Sequence, residues 1–230
     1  MTDQPQGPDF SMVIASTVHD MKNSLTILSQ AHHNWVERLS QEQLEHPEHG
    51  VMEYEFARLN GMLVQLLGLY KLGVNQLPMQ ADYHDLDDFI EAQLVHHKEV
   101  LDSRGISASY SVDGLTPLGF FDRELIGSVL NNIMVNAIRY ADKAIAITAG
   151  EQGGELFITI NDDGRGYPAS MIEHQHELVQ GINPISGSTG LGLYFAGHIA
   201  SLHARNGVAG RVELANGGAL GGGLFTLYLP

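Results

Sequence analysis

Val18-His19-Asp20-Met21-Lys22-Asn23-Ser24-Leu25 sets a polar histidine segment inside a run with helical periodicity. Apolar residues recur around it at Ile14, Val18, Met21, Leu25, Leu28, Trp35 and Leu39, with His32 filling the one gap, so the spacing alternates four and three. That alternation is the seam of a coiled coil or helical bundle, and it predicts one helix over residues 10–39. Ser16, His19, Asn23 and Thr26 share a polar stripe, because residues three and four apart stack on one helix face. The stripe turns His19 away from the seam. A neutral imidazole so placed attacks phosphorus through one ring nitrogen when a neighbour holds the proton on the other. Asp20 is the adjacent carboxylate for that orienting or general-base role, and Asn23, one turn on, can position a water or an incoming carboxylate. Taken alone, the segment reads more simply as a solvated histidine on a bundle surface, since the chain holds 12 histidines. The decision comes from the rest of the chain.

Working outward, residues 40–50 are polar, contain Pro47 and Gly50, and break the pattern, as the turn of a helical hairpin does. From Val51 the four-three spacing resumes through Met52, Phe56, Leu59, Leu63, Leu66 and Tyr70 and predicts a second helix. Two helices with an apolar seam on each make half of a stable bundle. A second copy of the chain is the economical cover, so the expectation is a homodimer with a four-helix bundle. Gly73–Gln80, with Gly73, Asn75 and Pro78, reads as a linker and divides the chain into 1–74 and 79–230. Beyond it long heptads give way to short alternations. Strands are predicted over 79–84, 106–112, 118–121, 144–149, 155–161, 210–215 and 223–229. Helices are predicted over 86–103, opened by Asp85, Asp87 and Asp88, over 123–141, capped by Asp122, and over 190–204. A long glycine-punctuated loop spans 162–189. The mixture predicts an α+β fold: a helical hairpin followed by an α/β sandwich whose mixed sheet carries helices on one face.

Composition bounds the function. The chain has 230 residues, 43% of them hydrophobic, enough for two modest cores. Its 12 basic residues against 27 acidic ones give a formal charge of −15, which argues against a nucleic-acid surface and against adhesion to anionic lipid. An acidic chain that binds a polyphosphate needs local cations or a metal ion. The absence of cysteine excludes disulfides and thiolate chemistry and suits a reducing cytosol. No apolar run approaches the roughly 18 residues that span a bilayer, and residues 1–10 lack a signal-peptide core. The expectation is a cytoplasmic chain with no direct membrane contact.

Three segments of the second half carry chemistry. In Leu130-Asn131-Asn132-Ile133-Met134-Val135-Asn136-Ala137-Ile138-Arg139-Tyr140 a helix brings Asn132, Asn136, Arg139 and Tyr140 to one face. Two carboxamides and a guanidinium suit triphosphate oxygens and Mg²⁺, and a tyrosine beside them can stack on a base. Asn161-Asp162-Asp163-Gly164-Arg165-Gly166 ends a strand, where a carboxylate can accept from an exocyclic amine and glycines allow close approach of a ligand. Gly187-Ser188-Thr189-Gly190-Leu191-Gly192-Leu193 is a glycine-rich turn opening a helix, a place where backbone N–H groups meet phosphates.

In this order, after that hairpin, the segments resemble the sensor histidine kinases of two-component signalling over nearly the whole chain. The resemblance implies a dimerisation and histidine-phosphotransfer hairpin with His19 as phosphoacceptor, Asp20 as the following acid and Asn23 as the polar residue four on. Asn132–Tyr140 is similar to the family's asparagine box, in which the residue at Asn136 coordinates Mg²⁺, with Asn132 beside it. Asp162 matches the adenine-reading aspartate of a box that includes Gly164 and Gly166. Thr189, Gly190, Leu191 and Gly192 match the second glycine box, and residues 222–230 the final strand. The implied fold is the Bergerat ATP-binding sandwich, the implied ligands are ATP and Mg²⁺, and the implied partner is the receiver domain of a response regulator. Ser24 stands where the family often has proline. The lid over residues 167–186 holds no lysine, arginine or phenylalanine, so Arg139 and Mg²⁺ are left to supply the charge on the phosphates. Two other functions remain open. One is a stand-alone ATPase of this fold, whose relatives carry glutamate where this chain has Asn132. The other is a degenerate kinase acting as a dimeric phosphotransfer scaffold or a regulator phosphatase.

Overall fold

In the computed structural model, residues 10–36, 38, 47–74, 76–114, 117–180 and 191–230 are described. Phe10–Val36 forms helix α1 and Pro47–Gly73 forms α2, the pair of helices that the two seams predict. Of the expected turn over 40–50, residues 40–46 lie outside the described residues and 47–50 are already helical, since proline is suited to a helix's first position. Val18, Leu25 and His32, seven apart, are buried, while Met21, Leu28 and Trp35, also seven apart, stand exposed. On α2, Met52, Leu59 and Leu66 repeat the exposed pattern. Steps of seven return to nearly the same side of a helix, so one flank of the α1 seam is filled within the chain, and an apolar flank on each helix is left uncovered. His32 fills its gap by packing, its ring centroid 5.3 Å from that of Phe56 and its Nδ1 2.7 Å from a Glu53 oxygen.

The second half begins with strand β1 (Asp82–Asp85), which pairs with β3 (Leu118–Phe121), antiparallel. Between them lie helix α3 (Leu86–Arg104) and strand β2 (Ser107–Val112). Asp85 caps α3 by accepting from Asp88 N–H, and Gly105 ends it at φ 63, its N–H donating to Asp102 O. Helix α4 (Arg123–Tyr140) starts where Asp122 accepts from the backbone of Glu124 and Leu125. Strands β4 (Ala144–Gln152) and β5 (Glu155–Asp162) follow. The expected loop after β5 contains two short helices, α5 (Ala169–Glu173) and α6 (Gln175–Gln180). Pro168, whose fixed φ suits a helix start, opens the first and accepts from Met171 N–H. Helix α7 (Leu191–Leu202) is followed by the unanticipated pair β6 (Ala204–Arg205) and β7 (Val208–Ala209), then β8 (Arg211–Asn216) and β9 (Gly223–Leu229).

The main sheet has the order β2-β4-β5-β9-β8, with β2 parallel to β4 and every other pair antiparallel. Alternate residues turn one way, as the two-residue strand period requires. Ile145, Ile147 and Ala149, Ile158 and Ile160, and Phe225, Leu227 and Leu229 are buried with Ile126, Leu130, Ile133 and Ile138 of α4 and Phe195 and Ile199 of α7. Helices therefore cover one face of a mixed sheet. Among the described residues no helix is long and apolar enough to cross a membrane.

The hairpin lies against this body through α2. Gln65 bonds Asn132, Gly61 faces the Asn131 carboxamide, and the absent side chain of Gly68 leaves room for the Phe195 ring. A cavity of about 540 Å³ separates α1 and α2 from α3, lined among others by Leu25, Phe56, Asn60, His96 and His97.

Candidate functional site

His19 stands on the outer side of α1, its side chain 63% exposed and that of Asp20 79%. Both neighbours approach the same ring nitrogen: Asn23 Nδ2 lies 3.3 Å and Asp20 Oδ1 4.0 Å from His19 Nδ1. No hydrogen-bond partner meets Nε2 among the described residues. With its amide as placed, Asn23 donates to Nδ1. Half a turn of that amide lets its oxygen accept from Nδ1–H, which is also the form the Asp20 carboxylate favours. In that tautomer the Nε2 lone pair points to solvent.

The nucleotide residues named from the sequence fall into two groups around α4. Asp162, at the end of β5, is buried, and its Oδ1 accepts from Gly164 N at 2.8 Å and Gly223 N at 3.2 Å. Oδ2 has no donor among the described residues and is able to accept one. Two close approaches build the cradle. A Cβ on Gly164 would collide with the Tyr140 carbonyl, and one on Gly192 would lie 2.6 Å from Asn132 Nδ2. Gly164 faces backbone and admits no side chain, whereas at Gly192 the Asn132 carboxamide would have to move. Gly166 adopts φ 75 and turns the chain toward Tyr167. Burial, with the neighbouring Asp162 charge, pushes the Tyr167 hydroxyl far up and keeps it neutral.

Asn132 is buried, 7% exposed, with Oδ1 accepting from Gln65 Nε2 at 2.6 Å and Nδ2 lacking a hydrogen-bond partner among the described residues. Asn136, Arg139 and Tyr140 are exposed further along α4. The face read as one in the sequence is thus split, with its first asparagine under α2 and the other three residues open. Leu191 and Gly192 begin α7, while Thr189 and Gly190 lie outside the described residues.

Four residues that the motif reading did not use also shape the site. Asn161 donates to Gly217 O and Gly223 O and accepts from Leu220 N, stapling the β8–β9 turn beneath Asp162. Asn216 accepts from Tyr167 N and donates to Tyr167 O, fixing the start of the lid. Arg165 stands over the Tyr140 ring. Gln65 is signalled only as a polar residue between Leu63 and Leu66 in an apolar helix.

Residues 121–230 match the model of the histidine kinase-, DNA gyrase B- and HSP90-like ATPases. The sensor histidine kinase ZraS of Escherichia coli (strain K12) is 28% identical over 218 residues, covering 94% of this chain and 44% of ZraS. The sensor histidine kinase YkoH of Bacillus subtilis (strain 168) is 28% identical over 198 residues, 80% of this chain and 41% of YkoH. The chain is similar to sensor histidine kinases over most of its length. It spans less than half the length of these two curated relatives. The full-length structure of ShkA in complex with AMPPNP superposes with a TM-score of 0.65 at 18% identity, over 96% of this chain and 46% of that one, a likeness of fold. Asp162, Gly164, Gly166, Asn132, Asn136 and Gly192 all lie within the matched region.

Among the described residues no group of three or more His, Asp or Glu could hold a metal by itself. The one exposed carboxamide of Asn136 suits Mg²⁺ nonetheless, because that ion takes few protein oxygens and completes its shell with waters and substrate phosphates.

Proposed function

We propose that the chain is an ATP-dependent protein-histidine kinase that phosphorylates His19 and passes the group to an aspartate in the receiver domain of a separate response regulator. Residues 1–74 act as the dimerisation and phosphotransfer unit and 79–230 as the catalytic unit, in a cytoplasmic homodimer. The observation that carries this reading is His19 itself: an exposed imidazole whose Nδ1 faces both Asp20 and Asn23 and whose Nε2 is open, on a chain with an ATP-binding domain.

Asp162 would accept from the adenine amine through Oδ2, and Arg139 would contact phosphate oxygens. Asn136, with Asn132 beside it, would hold Mg²⁺, which neutralises charge on the phosphates when bound. His19 Nε2 forms a bond to the γ-phosphorus while the bond from phosphorus to the ADP oxygen breaks, and ADP leaves with that electron pair. Asp20 steadies the proton on Nδ1. Phosphoryl transfer asks chiefly for alignment and charge neutralisation, which a site of carboxamides and a guanidinium provides. Asn132 stands where the hydrolytic relatives carry the water-activating glutamate, which favours transfer to protein over ATP hydrolysis. The exposed heptad rows Met21, Leu28, Trp35 and Met52, Leu59, Leu66 support the homodimer.

Incubation with γ-labelled ATP and Mg²⁺ tests the proposal. Wild type should acquire acid-labile label, and both His19→Gln and Asn136→Ala should lose it. Phosphate released from ATP at an unchanged rate by His19→Gln, without any protein label in wild type, would replace the kinase with an ATPase. Failure of wild type to bind nucleotide would leave the scaffold reading.

A further inference from the structure

We propose that Arg165 is a second phosphate-contacting cation of this site, paired with Arg139 across Tyr140; the assignment rests on the nucleotide-binding reading above. The Arg139 guanidinium carbon lies 5.4 Å and that of Arg165 5.2 Å from the centroid of the same Tyr140 ring. Neither guanidinium forms an ion pair with a carboxylate among the described residues, in a chain whose acidic residues outnumber its basic ones 27 to 12. Two like charges drawn to one ring repel each other. The ring face offsets part of that cost by cation–π attraction, but it accepts none of the in-plane N–H bonds, and each guanidinium carries five donors. The pair is completed by an anion with several oxygens, which the planar fork of arginine matches.

The backbone fixes where that anion sits. Gly164, immediately before Arg165, packs so tightly on the Tyr140 carbonyl that no side chain fits between them. The turn after Asp162 is thereby clamped to the C-terminal end of α4, one helical turn from exposed Asn136. Asp162, at the start of the same turn, is committed to the base. The phosphate chain is the anionic part of the nucleotide, and Asn136, Arg139, Tyr140 and Arg165 form the exposed rim it would cross. Arg165 so placed supplies charge that the lid, lacking lysine and arginine over 167–186, does not.

The test is equilibrium binding of ATP and of adenosine, with Mg²⁺, to the full chain, to Arg165→Ala and to Arg165→Lys, with the unfolding temperature recorded for each. Arg165→Ala should weaken ATP binding roughly tenfold or more, leave adenosine binding and the unfolding temperature unchanged, and flatten the salt dependence of ATP binding. Arg165→Lys should recover part of the loss. ATP affinity unchanged in Arg165→Ala would overturn the assignment. Equal losses for ATP and adenosine would also overturn it, since they would make Arg165 a clamp on Tyr140 alone. Wild type that binds no ATP would overturn the nucleotide reading and this assignment together, a result distinct from the other two.

Discussion

Replacing Gln65 with alanine should tighten ATP binding, opposite in sign to the loss expected from Asn132→Ala. Gln65 Nε2 donates to Asn132 Oδ1 at 2.6 Å, across 67 residues of sequence, with the two residues 5% and 7% exposed. The bond exists only while α2 lies on α4. Removing the donor leaves a buried carbonyl oxygen without its partner, a cost of about 1–3 kcal/mol to the docked arrangement. At about 1.4 kcal/mol per tenfold, that shifts docking by roughly 5- to 150-fold toward the state in which Asn132 is uncovered. A nucleotide that needs the Asn132 carboxamide competes with Gln65 for it, so by linkage the variant binds ATP more tightly, up to that factor. Titration calorimetry of wild type, Gln65→Ala, Asn132→Ala and the double variant measures the affinities, and urea denaturation of the same four proteins measures the coupling. Single changes that add within about 0.3–0.5 kcal/mol would mean the pair is not formed in solution. Gln65→Ala weakening ATP binding would refute the competition directly.

Three further outcomes follow from the geometry. Burial of His97 in α3 pushes its imidazole down from the ordinary value of 6.5 to about 3, and the neighbouring His96 charge acts in the same direction. The folded value lies below the unfolded one, so the unfolded chain binds the proton more readily. Stability is whole above about pH 6.5 and falls as pH drops from there toward 3. The buried His203 is lowered as well, chiefly by burial, with Nε2 accepting from Asp122 N–H, and it adds to the same acid limb. The unfolding temperature of His97→Leu should therefore fall less than that of wild type between pH 7 and pH 4, and parallel curves would contradict this. Leu28→Glu combined with Leu59→Glu puts charge on both exposed heptad rows and should halve the mass seen by light scattering at micromolar concentration; wild type already monomeric there would remove the dimer. Asp20→Asn should lower autophosphorylation at least tenfold by losing the carboxylate that favours Nδ1–H, while ATP affinity stays at the wild-type value.

The hairpin, the mixed sheet and the outward face of His19 were legible because each follows from a local period: heptad steps in residues 10–39 and 51–70, alternation in the strands, and a polar stripe four and three residues apart. The caps were legible for the same reason, since Asp85 and Asp122 act on backbone two or three residues away. The short helices Ala169–Glu173 and Gln175–Gln180 escaped notice because runs of five and six residues hold too few turns to show a period. Periodicity places Asn132 and Asn136 on one helix face, yet it does not say what lies against that face. Gln65 meets Asn132 from the other half of the chain, and Asn216 meets Tyr167 from 49 residues away, so both were beyond any reading of neighbours.

Where the domains meet also bears on how the reaction can begin. His32 packs on Phe56 and Glu53, and the hairpin is antiparallel, so the 13 residues back to His19 along α1 correspond to 13 forward along α2, reaching positions 66 to 69. Gly68, in that interval, receives the Phe195 ring, and Gln65, just below it, holds Asn132. Asn132 and Phe195 therefore stand near the height of the imidazole, while Arg139, close enough to act on Tyr54 of α2, lies nearer that of His32. Thr26 and Gln30, seven residues on from His19 and Asn23, line the cavity that α1 shares with His96 and His97 of α3, so His19 stands on the flank of α1 that continues toward the second half of the chain. The Gln65–Asn132 bond and the seat of Phe195 on Gly68 hold the two halves in this arrangement. If transfer within one chain requires the second half to shift along the hairpin, replacing Gln65 should raise phosphorylation of His19 without touching a residue of the nucleotide site, and an unchanged rate would mean that these contacts do not limit transfer.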